Sequence, residues 1–126
     1  MSSLFDRVGG RFAILGMLRS FYDSVFSDPM IGFLFRASDK ERLIDREYAL
    51  VAAALGVEEP YAGRPLEPTH ARFKITGGQF ERRLVLLEAA MTRCDFPREA
   101  VSAVLAHNRG LRSLITKDPG SDCHPT

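Results

Sequence analysis

Read as hydrophobic and polar positions, the chain divides into helical stripes separated by turn residues, with no alternation that would mark a strand. Leu4, Phe5 and Val8 form a short stripe that stops at Gly9-Gly10, a pair that ends a helix and allows a sharp corner. Residues 11 to 27 carry Ile14, Leu18, Phe21, Tyr22 and Val25 at helical spacing, and Asp28-Pro29 closes the segment. Tyr22 therefore faces inward, where a phenol needs a partner for its hydroxyl. The stretch MIGFLFRA that follows is apolar without a period, and Phe33, Leu34 and Phe35 make an aromatic corner. Ser38 and Glu41 have the spacing of a capping box, which predicts a helix to about Leu55, before Gly56. Its inner face is Leu43, Glu47, Leu50, Val51 and Ala54. Glu47 is the oddity on that stripe. A small rotation would move it to the edge, paired with Arg46 or solvent, since unpaired carboxylates are rarely buried.

Residues 56 to 69 contain Gly56, Pro60, Gly63, Pro65 and Pro68 and cannot form one continuous helix. A loop of this length in a compact domain tends to carry function. It delivers Thr69-His70, and Phe73 and Ile75 follow with side chains free to pack inward. Thr76 and Gln79 form a second capping box, opening a helix over residues 77 to 94 with Phe80, Leu84, Leu87 and Met91 on one face. Asp95-Phe96-Pro97 breaks the chain and starts the last helix, because proline is tolerated in a first turn. Val101, Val104, Leu105, Asn108, Leu111 and Ile115 run along it, and Gly110 inside it costs roughly 1 kcal/mol relative to alanine. The tail from Lys117 is polar and expected to be disordered. The class expected is all-α, with one domain over residues 1 to 116 and the tail over 117 to 126.

Composition narrows the function by exclusion. The 126 residues suit a single domain, and a formal net charge of +1 gives no electrostatic case for nucleic acid or an anionic membrane. No apolar run approaches the roughly 20 residues that span a bilayer, and the N-terminus does not read as a signal peptide. Cys94 and Cys123 show no metal-ligand spacing, and free thiols in a reducing cytoplasm are the simplest account. Of three histidines, His70 alone stands beside a large apolar surface. Taken by itself it reads as a loop histidine bonded to backbone. Its surroundings argue for more. A four-helix chain with an irregular, proline-rich middle is not a regular bundle, and its middle loop looks built around something it must wrap. Tyr22, Glu47 and His70 are the few polar groups aimed inward, among Phe21, Phe33, Phe35, Leu43, Leu50, Val51, Phe73, Ile75, Phe80 and Leu84. A flat apolar ligand with one axial metal position suits that set.

The chain resembles the truncated haemoglobins, the two-over-two globins, in SLFDRVGG, SFYDSVFSDPMIGFLF, AAALGVEEPYAGRPL and HARFKITGGQF. The fragments stand in the family's order and cover the chain to about residue 116. The spacing of Tyr22, Phe35 and His70 is most like the first of its groups. The resemblance implies a two-over-two helical sandwich around haem b, with His70 as the proximal iron ligand. It makes Phe35 the stacking aromatic and Tyr22 the distal hydroxyl that bonds iron-bound O2, with Leu43 at the distal gate. Arg46, Phe73, Ile75, Phe80 and Leu84 complete the expected cofactor contacts, Arg46 through a propionate. Glu47 stands where the family's first group usually has glutamine. It is expected either to be protonated and to donate toward Tyr22 or ligand, or to swing out toward Arg46 and a propionate. Arg83 stands at a position that is apolar or tryptophan in most relatives, and is expected to reach a propionate, Glu81 or Glu88 near the surface. The implied function is reversible binding of O2, with NO and CO as further ligands. The alternatives are an NO dioxygenase served by a separate reductase, a peroxidase using Glu47, and a haemless sensor or interaction domain.

Overall fold

The computed structural model describes residues 3–57 and 75–112. Six α-helices lie among them: α1 Leu4–Val8, α2 Gly10–Ser27, α3 Gly32–Phe35, α4 Lys40–Ala54, α5 Gly77–Arg93 and α6 Arg98–Gly110. The expected all-α class holds. None of these helices is long and apolar enough to cross a membrane.

Local chemistry sets most boundaries. The Ser3 hydroxyl accepts from the Asp6 amide at 3.1 Å to open α1, and Gly9 ends it with φ at 109°, a conformation that favours glycine. At the end of α2 the Asp28 carboxylate accepts from the amides of Met30 (2.9 Å) and Ile31 (3.1 Å) and turns the chain into α3. Gly32 passes so close to α2 that a Cβ there would lie 2.7 Å from the Phe26 carbonyl oxygen. The Thr76–Gln79 capping box forms as expected. Gln79 Oε1 accepts from the Thr76 amide at 2.9 Å, and Thr76 Oγ1 accepts from the Gln79 amide at 3.1 Å. Such a cap contributes about 1 kcal/mol. Pro97 caps α6, and Gly110 is its last residue rather than an interior one.

The Ser38 box does not form. Asp39 caps α4 instead, accepting from the amides of Glu41 at 3.0 Å and Arg42 at 3.4 Å. Asp39 is the better acceptor for the dipole end of a helix because it brings a negative charge.

The four long helices touch in a ring, α2 against α4, α4 against α6, α6 against α5 and α5 against α2, with α1 packed on α2 and α6. Ile14, Met17, Leu18, Phe21 and Val25 of α2 fill the centre with Phe80, Leu84, Leu87 and Met91 of α5 and Val101 and Val104 of α6. The inner face of α4 divides in two. Ile44, Tyr48, Val51 and Ala52 bury into this core, while Leu43 and Leu50 are half-buried and border an opening beside it. Ala54 is half-buried as well.

Candidate functional site

The opening is a cavity with about 670 Å³ of space, partly open to solvent. The helical repeat explains its wall. Leu43, Arg46, Glu47 and Leu50 recur at intervals of three and four residues, so α4 presents all four to one side. Tyr22 of α2, Phe35 of α3, Ser38, Ile75, Arg83 of α5 and Asn108 of α6 close the remainder among the described residues. The wall is mostly apolar, with its polar groups gathered where α2, α4, α5 and α6 meet.

Those polar groups form a connected set. Arg83, only 8% exposed, donates from Nη2 to Glu47 Oε1 at 2.5 Å and from Nη1 to Asn108 Oδ1 at 2.8 Å. Asn108 Nδ2 in turn donates to the Val104 carbonyl at 3.0 Å, which fixes which end of the amide faces Arg83. The guanidinium carbon also lies 5.3 Å from the centre of the Phe21 ring, within cation–π range. Burial disfavours the charge on Arg83, but the carboxylate of Glu47 and the Tyr22 hydroxyl beside it hold the guanidinium above its ordinary pKa. Tyr22 is pushed well above the ordinary phenol range, first by burial and then by the Glu47 carboxylate, with Arg83 opposing. Its hydroxyl is thus a proton-bearing donor at every physiological pH. Its ring packs edge-on to Phe21 at 4.7 Å.

Two buried atoms of the wall have no hydrogen-bond partner among the described residues: Arg46 Nη1 and Glu47 Oε2. Buried polar groups are nearly always satisfied, so each of these atoms is open to a partner beyond the described residues.

The residues expected at a site fare differently. Tyr22, Phe35, Leu43, Arg46, Glu47 and Ile75 do come together on one cavity. His70 and Phe73 lie outside the described residues, as do the loop prolines and Ile115. Phe80 and Leu84 are buried in the core and are not among the described residues that line the cavity. Phe33 is 57% exposed and belongs to no inner surface, because the short α3 turns Phe35 inward and Phe33 out.

Arg83 also departs from expectation. Glu81 accepts from Arg109 and Glu88 from Arg98, both at the surface, while Arg83 turns inward to Glu47. Glu47 correspondingly neither swings out to Arg46 nor sits at the stripe's edge, but is 4% exposed and ion-paired. A buried charge is tolerated when its partner is buried with it. Sequence reasoning missed Ser38 and Asn108 as wall residues. Asn108 carried a signal, a lone amide on the stripe of Val101, Val104 and Leu105.

Three comparisons bear on kinship. A family model described as bacterial-like globin matches residues 3–116. The group 1 truncated haemoglobin of Mycolicibacterium paratuberculosis is 33% identical over 104 residues, covering 82% of this chain and 76% of that protein. The group 1 truncated haemoglobin of a Nostoc species is 24% identical over 115 residues, covering 91% and 98%. Among solved structures, truncated haemoglobin from Tetrahymena pyriformis superposes with a TM-score of 0.81 at 15% identity, covering 93% of this chain and 100% of that one. The two-over-two haemoglobin of a Synechococcus species, with covalently attached haem, gives 0.80 at 18% identity, covering 90% and 98%. The helices are thus arranged in a known fold, and the chain belongs to the bacterial-like globins as a group 1 truncated, two-over-two globin.

Proposed function

We propose that this globin binds O2 reversibly at the iron of a haem b held by His70, with NO and CO as further ligands. Haem and diatomic ligands come with the family. The Synechococcus relative is described with haem attached. The observation that carries the reading for this chain is its cavity. Phe35, Leu43, Leu50 and Ile75 give it apolar walls, with a few polar groups converging at one end, as small-molecule sites have. Arg46 Nη1 is buried without a partner among the described residues, as a nitrogen that would pair with a propionate is. These residues fit the group.

The iron supplies the coordination position that a diatomic ligand needs. The chain does the rest. His70 would hold the metal, Phe35 would pack against the macrocycle, and Arg46 would pair with one of its carboxylates. Leu43 and Leu50 exclude water on the α4 side. Tyr22, protonated at every working pH, would offer its hydroxyl hydrogen to a bound ligand from the cavity wall and so slow its escape.

Absorption spectra of the recombinant protein test this, taken ferric, dithionite-reduced and reduced with CO, beside His70→Ala. A Soret band that shifts with CO and collapses in the variant is expected. No Soret band after haem supplementation would overturn the reading and bring forward an interaction domain. Oxidative chemistry at the same haem is the second reading, favoured by the free carboxylate oxygen of Glu47 on the cavity wall, where a general acid–base serves peroxide. Loss of peroxidase turnover in Glu47→Gln with O2 binding kept would select it. An NO dioxygenase would need a separate reductase.

A further inference from the structure

Tyr22 can serve a ligand only if its hydroxyl hydrogen is not already given to a neighbour. Three charged side chains act on that hydroxyl: Glu47 and Arg46 from α4 and Arg83 from α5. The two guanidiniums are donors only, so neither can take the hydrogen. The Glu47 carboxylate can, and its charge makes it a stronger acceptor than a neutral diatomic molecule. It is the competitor for the hydrogen that a ligand needs. Yet Oε1 accepts from Arg83 Nη2 at 2.5 Å, and Oε2, buried on the cavity wall, has no partner among the described residues, Tyr22 included. Arg83 also reaches the Tyr22 hydroxyl. Having no acceptor of its own, it meets that group at the oxygen and leaves the hydrogen free. Asn108, 1% exposed, steadies the guanidinium from α6: Oδ1 accepts from Nη1 at 2.8 Å while Nδ2 is anchored on the Val104 carbonyl.

We propose that Arg83 is a positioning residue for Tyr22: held by Asn108, it draws the Glu47 carboxylate away from the phenol and so reserves the hydroxyl hydrogen for a bound ligand. The proposal rests on the haem reading above and adds to it a residue that acts through Tyr22. Without Arg83 the freed carboxylate takes the hydrogen, and Tyr22 stays in place but is silenced. Removing Glu47 as well removes the competitor, and the hydrogen returns to the ligand.

O2 dissociation is measured by stopped flow on the reduced holoprotein for wild type, Arg83→Leu, Glu47→Leu/Arg83→Leu, and Tyr22→Phe with and without Arg83→Leu. Arg83→Leu is expected to lose O2 about tenfold faster than wild type, as Tyr22→Phe does. The rate of Glu47→Leu/Arg83→Leu should return to within about twofold of wild type, and Arg83→Leu should change the Tyr22→Phe rate by less than about twofold. Ultraviolet Raman spectra of the full chain before haem is added give a readout independent of ligand binding, because the tyrosine doublet distinguishes a strongly donating phenol from an accepting one. With the matching Tyr22→Phe spectra subtracted, the Tyr22 signal should shift toward a strong donor in Arg83→Leu and back again when Glu47→Leu is added. A wild-type O2 rate in Arg83→Leu would overturn the proposal, as would an equal acceleration in the Tyr22→Phe background, no recovery in the double variant, or an unmoved Raman signal. Should Arg83→Leu not fold, Asn108→Leu takes its place. The same direction of change in rate and spectrum then supports the proposal, and no change overturns it. A protein with no Soret band fails at the haem reading, whereas a haem-bound protein whose Tyr22 is indifferent to Arg83 fails here.

Discussion

Arg82 and Arg83 are neighbours on α5, and each grips a buried carboxylate, yet the two pairs have different characters. Successive residues of a helix point about 100° apart. Arg82, a third exposed, reaches back to Asp28 at the end of α2, with nitrogen–oxygen distances of 3.0 and 2.6 Å. Arg83 turns into the cavity. The Asp28 carboxylate is fully used: it accepts from Arg82 and from two backbone amides, with nothing left over. Among the described residues Glu47 is half used, one oxygen on Arg83 and one without a partner. A carboxylate whose bonds all end on its own chain holds structure together. One that keeps a buried oxygen open beside a cavity is available for chemistry.

The largest effect that would test this contrast comes from Arg83→Leu. Stranding Glu47 should cost about 3–5 kcal/mol, read as a lowered urea midpoint, whereas Glu47→Leu/Arg83→Leu should recover most of it. Equal losses in single and double variants would show that packing rather than charge sets the cost. Asp28→Ala follows, at about 2 kcal/mol at neutral pH from the lost turn and bridge, with ligand binding unchanged. A shift in ligand affinity there would erase the distinction between the two pairs. Tyr22→Phe should raise the O2 dissociation rate about tenfold in stopped flow, the equivalent of one hydrogen bond of about 1.4 kcal/mol, and leave the urea midpoint nearly in place.

The smallest effect is in acid. The hydrogen bond from Arg82 holds the Asp28 carboxyl below its ordinary value, against the opposing effect of burial. Its unfolded form therefore binds a proton at higher pH than its folded form. The stability it adds is complete above about 3.9 and is lost as pH falls through the lowered folded value. Urea midpoints of Asp28→Asn should decline less steeply over that window than those of wild type.

The sequence was most legible where cause and effect lie within one turn. Thr76 and Gln79 are three residues apart, so their cap and the start of α5 could be read directly. Ser38 and Asp39 are adjacent and both able to cap, and only the path of the chain out of α3 chose between them. The stripe of α4 was read as one face because periodicity reports an angle without saying what lies opposite. The angle spans both core and cavity. Glu47 and Arg83 each stood out as misplaced charges, but they are 36 residues apart and nothing local shows that they meet. The family resemblance brought Tyr22, Phe35 and Leu43 to one cavity. It gave no guide to Arg83, whose partner Glu47 is set by the packing of α4 and α5 against α2 rather than by any local spacing.

The Glu47–Arg83–Asn108 chain also constrains the history of this protein. Loss of the charge on Glu47 alone leaves the buried Arg83 guanidinium uncompensated, and loss of Arg83 alone leaves the carboxylate so, while Asn108 bonds the arginine but carries no charge of its own. Either charge without the other carries a cost in stability, so close relatives are expected to hold both or neither, which an alignment of their sequences checks.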